Sequence, residues 1–173
     1  VGNDADLGAI SEHIRGAAAG KSNAIFLSGE VGVGGGIILG GCLMVGAGGY
    51  GGEVGHMVVN PTGRSCRCGR HGCWETEIGE DAVLTALGGA RGDDVDMLLA
   101  ELDPGVAGAT AQLDRVGRWL GLGLANLVNI FNPEIVVFGG LLRKFLPLVE
   151  GHMRHQFDAA LVRLQNDVTL SRG

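Results

Sequence analysis

The chain has 173 residues, 46% of them hydrophobic, and a formal net charge of −6, which suits one domain with a real core. That charge excludes a broad phosphate-binding surface, because non-specific nucleic-acid affinity comes from Lys and Arg displacing counterions. No apolar run reaches the ~18 to 20 residues of a membrane span and no hydrophobic signal core opens the chain, so a cytoplasmic location without membrane contact is expected.

Residues 4–20 carry Leu7, Ile10, Ile14 and Ala17 or Ala18 at helical spacing. They predict an amphipathic helix capped by Asn3 or Asp4 and ended by Gly20. Three β-rich runs follow at 23–29, 33–41 and 42–49, separated by glycine turns, and predict an antiparallel meander. The 33 glycines show no collagen period and read as tight turns and close backbone approaches. After a loop at 48–76, helices are expected at 75–89, 93–103 and 109–131. Pro104 and Gly105 break the second, and Asn132-Pro133 stops the third. The third sets Leu113, Val116, Leu120, Leu124, Leu127 and Ile130 or Phe131 on one face. Residues 134–140 predict a buried strand, 141–162 a helix bent at Pro147, and 166–173 a last strand. The sum is an α/β fold with a mixed sheet and flanking helices, in a single domain over 1–173.

The loop concentrates the chemistry. His56, Cys66, Cys68 and Cys73 offer one imidazole and three thiolates, enough for the tetrahedral shell of a structural zinc site. Soft thiolates select zinc over magnesium or calcium, and a full shell leaves no position for a reactive water. Gly63, Gly69 and Gly72 let the loop fold back between ligands. His71 is the alternative imidazole, at an expected solvent-facing tip. A disulfide pair with a free thiol, or plain buried cysteines, is the other reading of the same pattern. Cys42, in a strand run, is expected in the core.

The stretch "GGEVGHMVVNPTGRSCRCGRHGCWE" closely resembles the zinc signature of the ROK family of repressors, open reading frames and kinases. "GNDAD" resembles its sugar and catalytic-Asp segment, "GVGGGII" its phosphate turn, and "NPEIVVFGG" the strand entering its nucleotide-side glycines. The resemblance implies the C-terminal lobe of an actin-like (ribonuclease H-like) ATPase fold. The other lobe, and in repressors a DNA-binding winged helix-turn-helix, would lie upstream. It further implies that Asn3, Asp4, Glu53, His56 and Glu75 bind sugar, with Asp4 the general base if the protein is a kinase. One nitrogen of His56 would hold zinc while the other meets a sugar oxygen. Glu30, Val31, Gly32, Gly34, Gly139 and Gly140 would form the nucleotide side, using ATP and magnesium in the kinase case only.

One departure decides between the family's two roles. Kinase members carry Gly-Thr where "SGEVGVGGGII" puts Glu30 and Val31. Val31 cannot donate a hydrogen bond, and the Glu30 carboxylate repels phosphate. The turn is most like those of xylose-repressor-type regulators. The expectation is therefore a sugar-sensing portion of a dimeric transcriptional regulator that meets DNA only through an N-terminal domain. An ATP-dependent sugar kinase, glucokinase-like, is the alternative.

Overall fold

The computed structural model describes residues 4–101, 107–162 and 167–173. Strands β1 (Ala24–Gly29), β2 (Val33–Leu39) and β3 (Cys42–Leu43) form the expected antiparallel meander. The chain passes through helices and returns as β4 (Ile135–Gly139), parallel to β1, and β5 (Thr169–Ser171), parallel to β4. Sheet order is β3-β2-β1-β4-β5. The β1/β4 register runs from Ala24 opposite Ile135 to Ser28 opposite Gly139, which brings the glycine ends of both strands to one rim.

Alternation along the strands builds two cores. Ile25, Leu27, Ile37, Val136 and Phe138 face the larger one. It is closed by α2 (Trp74–Ile78), α3 (Glu80–Ala86), α5 (Ala107–Phe131) and α6 (Gly140–Ala160). Ala24, Ile38, Ile135 and Val137 face the other side, where Ala9 of α1 (Asp4–Arg15) covers them. The long α5 buries Val116, Leu120, Leu124 and Leu127 as its spacing predicts, but Ile130 is exposed and Phe131 is the half-buried member of that pair. Asn132, at φ 46°, ends it. Helix α6 continues through Pro147 as one element.

Several boundaries and faces differ from the pattern, each for a local reason. Helix α1 stops at Arg15 rather than Gly20, and Leu7 and Ile14 are 57% and 63% exposed while Ala5 and Ala9 are 2%. The cause is the strand beneath: a Cβ on Gly36 would stand 2.5 Å from the Ala9 methyl and collide with the Ala5 backbone. The helix lies so close to β2 that only its small residues fit between. The expected helix at 75–89 is two, because Gly79 is extended (φ −74°, ψ −176°) and a Cβ there would press on the Glu75 carbonyl at 2.6 Å. Cys42 is exposed rather than in the core, since β3 is a two-residue edge strand. Helix α4 spans Val95–Glu101, its first turn capped by Asp94, whose carboxylate accepts from the Asp96 and Met97 amides. Asn3, the Pro104-Gly105 break and the start of the last expected strand lie outside the described residues.

Candidate functional site

After β3 the chain makes a 3-10 turn at Val54–His56 and then a narrow hairpin-like loop. Isolated bridges join Val58 to Cys73 and Ser65 to His71, and the Gly72 carbonyl accepts from both the Val59 and Asn60 amides. Gly69 and Gly72 take φ of +88° and +68°, left-handed values that L side chains rarely adopt. A Cβ on Gly72 would also collide with the Asn60 carbonyl. These reversals let residues ten and more apart converge.

The convergence is tight. One ligand atom each of His56, Cys66, Cys68 and Cys73 lies within 4.8 Å of all the others. Cys66 Sγ is 3.6 Å from His56 Nδ1, and Cys68 Sγ is 3.5 Å from Cys73 Sγ. A tetrahedral shell with Zn–S bonds of about 2.3 Å spaces its donors by roughly 3.6 to 3.8 Å. The donor set therefore fits a zinc-type ion in both softness and spacing, and the thiols are free of disulfides. His71, the alternative imidazole, is exposed and lies 3.5 Å from Ser65 Oγ, outside this group.

The three sulfurs differ in their surroundings. Burial, then a 2.9 Å hydrogen bond to Glu75 Oε1, pushes the Cys66 thiol up to about 12. Hydrogen bonds from Arg70 pull exposed Cys68 down to about 6, while burial raises Cys73. A buried thiol gives up its proton readily only when a cation replaces it.

The two glutamates expected to meet sugar flank the imidazole. Glu75 Oε1 is 3.6 Å from His56 Nδ1, and Glu53 Oε2 is 3.9 Å from His56 Nε2. One nitrogen faces the sulfurs while the other faces Glu53. Asp4 is exposed in the first turn of α1, where the Cβ of its neighbour Ala5 would lie 3.0 Å from a Cβ on Gly34.

Of the residues expected on a nucleotide side, Glu30, Val31 and Gly32 form the β1–β2 turn, closed by the Glu30 amide donating to the Gly32 carbonyl at 2.9 Å. Gly139 ends β4 and Gly140 opens α6, bridged to Gly29. A Cβ on Gly140 would touch Glu30 Oε1 at 3.0 Å, so this carboxylate rests at the start of α6. Glu30, Val31 and Gly140 line a groove of about 420 Å³ together with Glu80, Asp93, Asp94, Asp96 and Lys144. Lys144 is already paired with Asp96 at 2.7 Å. A second groove of about 180 Å³, between the turn and the metal loop, includes Val31, Gly32, Arg64, Arg67 and Glu75.

Pattern reading missed Glu77, the buried carboxylate of α2. It accepts from Asn60 Nδ2 at 2.9 Å and Arg115 Nη2 at 2.7 Å, tying the metal loop to α5. Its spacing two residues after Glu75 was the available signal, since i and i+2 point to different sides of a helix. The acidic groove was missed because Asp93, Asp94 and Asp96 reach the turn only through the tertiary fold.

The ROK family model matches residues 1–170. This chain belongs to the ROK family. Among its relatives, the xylose repressor of Bacillus subtilis (strain 168) is 35% identical over 90% of this chain and 41% of its own length. The glucokinase of Halalkalibacterium halodurans is 32% identical over 92% of this chain and 53% of its own. The chain thus spans about half or less of the curated relatives it matches. The ROK glucokinase of Streptomyces griseus, solved with glucose and AMPPNP, superposes with a TM-score of 0.83 at 28% identity, covering 99% of this chain and 62% of that one. The five-stranded mixed sheet with flanking helices is accordingly that of ROK actin-like ATPase-fold proteins. No helix among the described residues is long and apolar enough to cross a membrane.

Proposed function

We propose that this chain is the sugar-sensing portion of a ROK transcriptional regulator, with a structural zinc organising its sugar pocket. The observation that carries the regulator reading is the acid-lined nucleotide side. Glu30 stands at the start of α6, where a phosphate would otherwise take the helix-terminal position. Around it lie Glu80, Asp93, Asp94 and Asp96, and the one lysine is spent on Asp96. Like charges about 4 Å apart repel by ~1 kcal/mol in water and more in a partly dry cleft. A triphosphate is disfavoured there, whereas the glutamates around His56 keep the acceptors that a polyol needs.

In this reading His56, Cys66, Cys68 and Cys73 hold the ion, which fixes the tautomer and direction of the imidazole. His56, Glu53 and Glu75, with Asn3 and Asp4, then contact sugar hydroxyls. The chain acts as one lobe of a two-lobed, dimeric molecule in the cytoplasm, and DNA is met by a segment outside it. Sugar shifts the regulator only by its differential affinity for the two arrangements of those lobes. The second reading, an ATP-dependent sugar kinase using magnesium, is favoured by exposed Asp4, which would take the proton of the attacking hydroxyl, and by the glucokinase relatives.

A coupled ADP-release assay with glucose and xylose, beside thermal-shift measurements, separates the readings. The regulator reading expects stabilisation by sugar without turnover. A sugar at 100 times its dissociation constant adds ~2.7 kcal/mol. Sugar-dependent ADP release overturns it in favour of the kinase.

A further inference from the structure

We propose that the groove between α5 and α6 binds a flat aromatic carboxylate, at a site that shares no lining residue with the metal loop and does not depend on the sugar-site reading. Its volume of about 420 Å³ lies within the ~300 to 1,000 Å³ of small-molecule pockets. Arg115, Arg118, Trp119 and Leu122 line it from α5, and Gln156 lines it from α6. The α5 positions follow i, i+3, i+4, i+7 spacing, so they form one stripe, charged toward the helix N-terminus and apolar beyond it. Gln156 is brought opposite by a close helix approach: a Cβ on Gly121 would collide with the Met153 carbonyl and stand 3.1 Å from Gln156 Cβ.

The charge of the stripe is one-sided. In a chain of net charge −6 this groove has no carboxylate on its walls, whereas Glu30, Glu80, Asp93, Asp94 and Asp96 line the groove of equal volume at the start of α6. The carboxylates that hold its arginines lie outside the lining. Glu77 is fully buried beneath Arg115, and Asp114 is drawn to His152 Nδ1 at 2.9 Å as well as to Arg118 Nη2 at 2.7 Å. Each guanidinium is engaged through one terminal nitrogen and keeps further N–H groups for an anion. Trp119 and Leu122 are only half-buried against the core. The Trp119 indole N–H and the Gln156 amide have no hydrogen-bond partner among the described residues. A solvated helix face accounts for exposed ion pairs, which contribute little, but not for donors gathered without an acceptor around an indole ring. A carboxylate between the guanidiniums would set an attached ring against Trp119 and Leu122, where apolar area and an indole donor meet.

Calorimetry on the purified, zinc-loaded protein tests this with naphthoate, naphthamide and cyclohexanecarboxylate. Naphthoate should bind at one site, roughly tenfold tighter than either control, with an advantage over the amide that shrinks as salt rises. Arg118→Gln should remove the advantage over the amide, and Trp119→Leu the advantage over the saturated acid, with zinc content unchanged in both. Arg115 is left unaltered because it secures Glu77. Naphthoate binding no tighter than its amide in the unaltered protein overturns the inference, as does a naphthoate affinity that neither variant lowers. Failure of naphthoate to bind, together with self-association in sedimentation that Trp119→Leu weakens, overturns it in favour of a second copy seated on the groove. Failure to bind without self-association overturns it outright.

Discussion

Among the described residues, Glu77 is the charged side chain that the core tolerates, because Asn60 and Arg115 satisfy both of its oxygens. Removing one partner of such a buried group strands the other, at a cost of about 3 to 5 kcal/mol in fully buried pairs. Arg115 is half exposed, so the lower end applies. Glu77→Ala should cost about 3 kcal/mol in urea unfolding, and Glu77→Gln less, since one amide bond can persist. A loss under ~1 kcal/mol for Ala would mean that the bridge is incidental. Cys68→Ser addresses the neighbouring cluster: it should empty the metal by elemental analysis, raise hydrogen exchange across residues 63–74, and weaken sugar binding although Cys68 touches no sugar in the proposed site. Retained sugar affinity in the metal-free variant would remove the clamp role of the ion. The gathering of His56, Cys66, Cys68 and Cys73 into one cluster that could hold a metal was legible from residue type and spacing. The direction of each His56 nitrogen was not, because a ring's orientation is set by Glu53, Glu75 and Cys66, which meet it only in three dimensions.

Among the elements, α1 shows how a correct periodicity can mislead about a face. Leu7 and Ile14 mark a helix, yet the glycines of β2 admit only Ala5 and Ala9 at contact distance. Close packing of this kind leaves little room for even one added methyl group. Gly36→Ala should therefore lower the denaturant midpoint by an amount equivalent to about 1 to 3 kcal/mol with an unchanged slope. An unaltered midpoint would show that the helix can lift without cost. The meander, α5 and β4 were all legible, since alternation and i, i+3, i+4, i+7 spacing survive into the fold wherever an element buries one full stripe. The division of 75–89 into α2 and α3 was not, because what matters at Gly79 is the approach of the Glu75 carbonyl rather than any lost apolar position.

At the scale of the molecule, the parallel pairing of β1 with β4 joins residues more than a hundred positions apart, and Glu134 pins that junction. Its Oε2 accepts from the Ser22 and Asn23 amides at 2.7 and 3.0 Å, and its own amide donates to the Asn23 carbonyl. These amides, Asn23 foremost, hold the carboxyl below its ordinary 4.5. A depressed folded value contributes stability that is complete above the unfolded value and is lost as pH falls through the folded one. Unfolding free energy should consequently decline below about pH 4.5, and Glu134→Gln should flatten that limb while lowering the plateau near neutrality. An identical acid limb in the variant would assign the decline to other carboxylates. Strand order was legible only as an α/β mixture, since nothing local distinguishes which neighbour a returning strand selects.

Trp74 directly follows the last cysteine, is fully buried, donates its indole N–H to the Trp119 carbonyl at 2.8 Å, and packs where a Cβ on Gly123 would strike its ring. The loop thus carries its own optical gauge. Chelation that loosens the cysteines should shift this fluorophore's emission to the red, and a Trp119→Phe background would isolate the signal to one indole. Titrating the ion back should then give its affinity by light alone.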